Sequence, residues 1–196
     1  MIISTQMNVF QDGLMELEPD NYDENIRTAL QGLKRREKDI VELVEESIKN
    51  LARPDTVQVS LAVDIQDHSV CIDDERIMKV LASLETNAVE AMHKGGELSI
   101  GVKGDEEQVV ITINDTGTGI SKENMDNILL PFFTTKPAGD GTGLGLPVAY
   151  NSVKMHGGKL EIKSNADPGN GPTGTKITIA LPRGRPGLTK VILQEK

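Results

Sequence analysis

The chain has 196 residues, 37% of them hydrophobic and 26% charged, a balance suited to one well-packed soluble domain with at most a small appendage. A formal charge of −9 argues against a nucleic-acid partner, which demands a basic surface to displace counterions. The single cysteine, Cys71, excludes an intrachain disulfide and a thiolate metal cluster, and no uncharged apolar run approaches the ~18 residues of a membrane span. A cytoplasmic chain without membrane contact of its own is therefore expected.

Residues up to Asp20 have no sustained period and lead into the Pro- and acid-rich ELEPDNYD. From Glu24 a helical stripe runs through Ile26, Leu30, Leu33, Ile40, Val44, Ile48 and Leu51. Gly32 and the cluster KRREKD weaken its middle, so two helices fit as well as one. The stripe either packs on the domain or joins a partner, including a second copy of this chain. Pro54 ends it. Residues 1–53 thus read as a helical linker segment, and 54–183 as the main domain.

Within that domain, Val57, Val59, Leu61 and Val63 alternate as in a strand, and HSVCI forms a second after a turn at Gln66 and Asp67. DDERIMKVLASLETNAVEAMHKGG predicts a long helix, with acids at its start and Gly95-Gly96 at its stop. ELSIGVK and EQVVITIND are two strands, followed by a short helix near Lys122 to Ile128. A Gly-rich run, FFTTKPAGDGTGLGL, feeds a helix from about Leu144 to Met155. The strands KLEIKS and TKITIALP come last, and residues 184–196 form a tail or an edge strand. Strands joined by tight turns, with helices between the pairs, predict an α+β two-layer sandwich: a mixed, largely antiparallel sheet covered on one face by helices.

Three separated motifs carry the candidate chemistry. On the long helix, Ser83, Asn87 and Ala91 share a ridge, while Glu85 is rotated about 200° from Asn87 and should face elsewhere. An Asn oxygen is a hard neutral donor that suits Mg²⁺, although a helical Asn also serves as an ordinary surface residue. Asp115 follows a strand and precedes Gly117 and Gly119, which permit a sharp turn and close backbone approach. It fits an Asx-turn, or an acceptor for an exocyclic amine that would repel a 6-oxo group. Gly141, Gly143 and Gly145 open a helix whose free N–H groups would favour an anion, but no Gly-Lys-Ser/Thr follows, so this is not a Walker A loop.

Taken together, Asn87, DTGTGI, PFFTTK, GTGLGL and the HGG at 156–158 occur in an order that resembles the catalytic ATP-binding domain of sensor histidine kinases. That group shares its superfamily with gyrase B, the heat-shock chaperone ATPase and MutL, and PFFTTK with GTGLGL is similar to the nitrogen-regulator type. The resemblance covers residues ~55–182. It implies ATP and Mg²⁺ as cofactors, with Asn87 as metal ligand and Asp115 holding the adenine amine. Gly117 and Gly119 would shape the base pocket, Gly141, Gly143 and Gly145 would touch phosphates, and Lys136 would meet the outer phosphates as the catalytic cation. Ile120, Phe133, Thr142 and Leu144 complete the implied nucleotide-binding set, and Phe132 with Phe133 would anchor a mobile ATP lid. The implied partners are a histidine-bearing dimerisation and phosphotransfer helix and a response regulator.

Two departures qualify the resemblance. Ser83 stands where histidine kinases commonly carry Asn and the related ATPases Glu, which counts against efficient hydrolysis. None of His68, His93 and His156 sits in a phosphoacceptor motif, so the acceptor is expected outside this chain or on a removed segment. The alternative is a catalytically weak, nucleotide-dependent protein-binding module.

Overall fold

The computed structural model describes residues 33–137 and 141–184, and the unit that begins at Lys34 carries every element below. In chain order these are β1 (Arg36–Asp39), α1 (Ile40–Asn50), β2 (Val57–Asp64), β3 (Ser69–Ile72), α2 (Asp74–Ala91), β4 (Gly96–Gly104) and β5 (Gln108–Asp115). The short α3 (Lys122–Met125), α4 (Gly145–Met155), β6 (Lys159–Asn165) and β7 (Gly174–Pro182) follow.

Five strands form one sheet in the order β2-β4-β5-β7-β6. All neighbours are antiparallel except β2 and β4, which run parallel. Helix α2 makes that parallel crossover, so β2 does not pair with the strand next to it in sequence. Register brings Ile100 opposite Ile113, and Ile111 opposite Ile179, so one face of the sheet is a continuous apolar surface. Leu98, Val102 and Leu181 extend it, and none of these side chains is more than 1% exposed. Helices α2 and α4 pack together over the sheet, and α1 packs on α2, with Leu81, Leu84 and Val153 in the core between the layers. The predicted α+β sandwich is the observed one.

The stripe expected to run as helix from Glu24 is interrupted at Arg36. Arg36–Asp39 instead pairs antiparallel with β3, as a ribbon separate from the main sheet. Helix α1 begins only after Asp39, whose carboxylate accepts from the Val41 and Glu42 N–H groups at 2.8 and 3.0 Å and so caps the first turn. Residues 1–32 of the expected linker and 185–196 of the expected tail lie outside the described residues.

Glu85 is fully buried between α1 and α2, so the rotation read from the sequence turns it away from Asn87 and into the core. Its Oε2 accepts from Ser47 Oγ at 2.7 Å, while Oε1 is buried without a partner. Burial pushes this carboxyl above its usual range, with the Ser47 hydroxyl pulling the other way. A raised native pKa means that the group's contribution to stability is full below the unfolded value and is lost as pH rises through the native value. Glu85→Gln, which mimics the protonated acid, is therefore expected to melt above the wild type at pH 8. The gap should close on acidification to pH 5, and a gap that is constant with pH would show that folding does not raise the Glu85 pKa.

Candidate functional site

A cavity of about 780 Å³ opens between α2, the ends of β5 and β7, and the segment that leads into α4. Asn87, Asp115, Gly119 and Ile120 border it. On the opposite wall are Phe133, Lys136, Gly141, Thr142, Gly143 and Gly145. Residues spread over some sixty positions are thus brought to one cavity. Gly117 and Leu144 stand behind the wall: a Cβ on Gly117 would lie 2.7 Å from the Ala91 carbonyl oxygen, and Leu144 is the residue from which α4 starts.

The floor is built around Asp115, the last residue of β5 and only 6% exposed. Its Oδ1 accepts from the Gly117 N–H at 2.9 Å and from the Thr175 N–H at 3.2 Å. Neither bond uses Oδ2, which accepts from no described residue. Burial raises this carboxyl above its usual range, against the pull of the two N–H donors. Asp115 is thus the Asx-turn residue, and its second oxygen is left over in a side chain that borders the cavity. Gly119 closes the turn at φ +70°, where a Cβ would stand 2.0 Å from the Asn165 carbonyl oxygen. No residue but glycine fits there.

The opposite wall is the start of α4. Leu144 has no side-chain cap bond, and Pro147 in the first turn offers no N–H. The first residues of this helix border the cavity without a side-chain cap among the described residues, and the dipole adds positive character there. Thr142 Oγ1 accepts from the Leu144 N–H at 3.3 Å and steadies the approach. Helix α2 lies close: a Cβ on Gly145 would meet Ser83 Oγ at 2.6 Å and approach Asn87 Nδ2 to 3.9 Å. Asn87 is exposed, and its amide has no hydrogen-bond partner among the described residues.

Two expectations change. Phe132 does not anchor the segment by its ring, which is 74% exposed. Its backbone does so instead, at φ +68°: the Phe132 N–H donates to the Gly143 carbonyl at 3.0 Å, and a Cβ on Gly143 would stand 2.4 Å from the Phe132 carbonyl carbon. Phe133 does reach the cavity. Lys136 also borders it, but its ammonium is held by Glu90 of α2, a partner the sequence did not suggest.

Sequence reasoning also missed Thr175 and Ser164. Thr175 borders the cavity beside Asp115, and Ser164 lies behind it on β6, 2.8 Å from the Thr175 hydroxyl. Both are ordinary strand residues, and nothing in their periodicity singles them out.

The histidines are placed outside this chemistry. His156 is 3% exposed; its Nε2 accepts from the Asp73 N–H at 3.0 Å, and its Nδ1 lies 2.7 Å from the Ser152 carbonyl, to which it donates. Burial lowers its pKa, so the ring is neutral and structural. His68 sits before β3 with Nδ1 against Asp39 at 3.2 Å, and His93 lies in the turn after α2.

The residues present fit a magnesium nucleotide. A buried carboxylate with one free oxygen, a helix start without a side-chain cap and an Asn amide unpartnered among the described residues all border one cavity. No helix among the described residues is long and apolar enough to cross a membrane.

Comparison with known proteins agrees with this geometry. Residues 72–185 match the family model described as histidine kinase-, DNA gyrase B-, and HSP90-like ATPase. Sensor histidine kinase ZraS of Salmonella typhimurium is 41% identical over 93 residues, which are 47% of this chain and 20% of that protein. Sporulation kinase D of Bacillus subtilis is 39% identical over 108 residues, 55% of this chain and 20% of that protein. The chain thus spans about a fifth of the length of the curated relatives it matches. Among solved structures, the mycobacterial sensor histidine kinase MprB superposes with a TM-score of 0.64 at 27% identity, over 76% of this chain and 97% of that one. The catalytic domain of histidine kinase ThkA does so with a TM-score of 0.63 at 28% identity, over 76% and 98%. With the cavity, α2 and strands β4 to β7 inside the matched residues, the chain belongs to the histidine kinase-, DNA gyrase B-, and HSP90-like ATPase family, as an ATPase domain of the histidine-kinase type.

Proposed function

We propose that this domain binds MgATP in the cavity and presents the γ-phosphoryl group to a histidine other than the three in this sequence. One observation carries the reading: Asp115 Oδ2, the unpartnered Asn87 amide and the uncapped start of α4 converge on a single cavity. Asp115 would accept from the adenine 6-amino group, and the N–H groups at the start of α4 would hold the phosphates. Asn87 would hold Mg²⁺, which supplies charge neutralisation at the phosphates when bound. Lys136 is the cation for the outer phosphates once it exchanges Glu90 for them.

Phosphoryl transfer of this kind is mostly positioning and electrostatics, and the cavity offers both without a nucleophile of its own. The buried His156 and the non-helical His68 and His93 support an acceptor helix carried elsewhere, with a response regulator downstream.

A second reading, a nucleotide-dependent binding module without transfer, draws on Ser83. Neither neighbouring glutamate of α2 replaces it: Glu85 is buried on the far side of the helix, and Glu90 is paired with Lys136. The test is calorimetry with a non-hydrolysable MgATP analogue, followed by γ-labelled ATP with histidine-bearing acceptor helices supplied in trans. Saturable binding with acid-labile label on the helices supports the kinase reading. Binding without label favours the module, and no binding removes both.

A further inference from the structure

The Ser164 hydroxyl has three oxygen or nitrogen neighbours at hydrogen-bond distance and only one proton to give. The Ile120 N–H donates to Ser164 Oγ at 2.8 Å. Ser164 Oγ lies 2.8 Å from the Gly174 carbonyl oxygen, which can only accept. It also lies 2.8 Å from Thr175 Oγ1. One assignment satisfies all three contacts: Ser164 accepts from Ile120, donates to Gly174, and accepts from Thr175. The reverse polarity between the two hydroxyls would leave two oxygens, Ser164 Oγ and the Gly174 carbonyl, at 2.8 Å with no hydrogen between them.

The Thr175 proton is therefore committed to Ser164, away from the cavity. Thr175 is 8% exposed and borders the cavity, so its hydroxyl can offer a ligand there lone pairs and no proton. Its own N–H goes to Asp115 Oδ1, which fixes the two side chains side by side. The recognition edge then consists of two acceptors, a carboxylate and a hydroxyl that cannot reverse its polarity.

We propose that Ser164 is a positioning residue for base specificity: by taking the Thr175 proton, it makes Thr175 an obligate acceptor and so selects 6-aminopurine over 6-oxopurine nucleotides. The inference rests on the nucleotide reading above and extends it from Asp115 to a residue that does not border the cavity. A free hydroxyl at position 175 would rotate and donate to an oxo group, which would blunt the discrimination that an unpaired acceptor otherwise enforces.

The test compares affinities for MgATP and for the magnesium complex of inosine triphosphate, which differs in presenting a 6-oxo group and an N1–H. Wild type is expected to prefer ATP, and Ser164→Ala to reduce that preference about tenfold, chiefly through better binding of the inosine nucleotide. In a Thr175→Val background, Ser164→Ala should leave the ratio unchanged, because the hydroxyl through which it acts is gone. A ratio that Ser164→Ala leaves intact, or shifts equally in both backgrounds, overturns the role. Loss of ATP binding by wild type overturns the nucleotide reading and this inference together, so the two failures are distinguishable. Should Ser164→Ala melt below the assay temperature, Thr175→Val alone decides. Its near-isosteric, β-branched side chain suits the strand, and it should weaken ATP several-fold without weakening the inosine nucleotide. Equal loss for both nucleotides overturns the proposal.

Discussion

Asp115→Asn is expected to weaken binding of a MgATP analogue by about 30-fold or more, with no fall in the melting temperature of the ligand-free chain. Oδ1 already accepts from the Gly117 and Thr175 N–H groups, and only Oδ2 is left for the cavity. An Asn that keeps its oxygen on those two donors must turn its NH₂ toward the exocyclic amine of the base, donor against donor. The flipped amide would instead set its NH₂ against Gly117 and Thr175. The first orientation loses the acceptor, and the second restores it only at the cost of two donor–donor contacts. Stability behaves differently, because burial holds the Asp115 carboxyl above its usual range. The stability it contributes is present below the unfolded pKa and lost as pH rises through the native one, so at pH 7 the neutral amide removes a cost. The same shift predicts that wild-type affinity weakens as pH falls toward the raised pKa while the variant's stays flat. Calorimetry across pH, with melting curves on the same samples, reads all of this. Unchanged affinity in the variant would remove Asp115 from base recognition.

The contrast between Asp115 and Thr175 shows what was legible in the sequence and what was not. Asp115 announces itself because a strand, an acid and two glycines fall in a row, and the Cβ clashes at Gly119 explain why that spelling is required. Thr175 and Ser164 occupy alternating strand positions that any β-hairpin could show, and their meaning arises only from the register that sets Ser164 opposite Thr175 and Asp115 opposite Thr175. Pairing partners are not written in a period of two, which is also why β2 was not expected to run parallel to β4. The strand Arg36–Asp39 is a sharper case. Its residues REKD have low β propensity and charged side chains, and their extended form is imposed from outside. The Lys34 N–H donates to the Asp73 carboxylate and the Ile40 N–H to the His68 carbonyl, which fasten both ends of the segment against β3. Long-range fastening of this sort overrides local preference and leaves no local trace. Glu85 was legible in direction through helix rotation alone, whereas its neighbour Ser47 depended on where α1 would dock.

Asn87→Ala should erase the magnesium dependence of nucleotide binding, a loss of roughly 10- to 100-fold when Mg²⁺ is present and little change in excess chelator. The prediction turns on the isolation of this side chain. Asn87 is exposed on α2 and bonds to no described residue, so removing its amide disturbs no packing and should leave the melting temperature within about a degree. Under the proposed function its neighbours would supply the rest of the phosphate site without it, the α4 start through backbone N–H groups and Lys136 through its charge. Those donors meet an anion directly and need no metal, and they set the affinity that remains in chelator. A hard, neutral oxygen beside them adds nothing for a bare phosphate, which it would repel, and becomes favourable only across a cation. The sign of the chelator control therefore separates two roles. If Asn87 donated its NH₂ to phosphate, Ala would weaken binding equally with and without Mg²⁺; if its oxygen ligates the metal, the two curves converge in the variant. Isotherms for wild type and Asn87→Ala in Mg²⁺ and in chelator decide between them, and parallel losses in both buffers would overturn the assignment of Asn87 as the metal ligand.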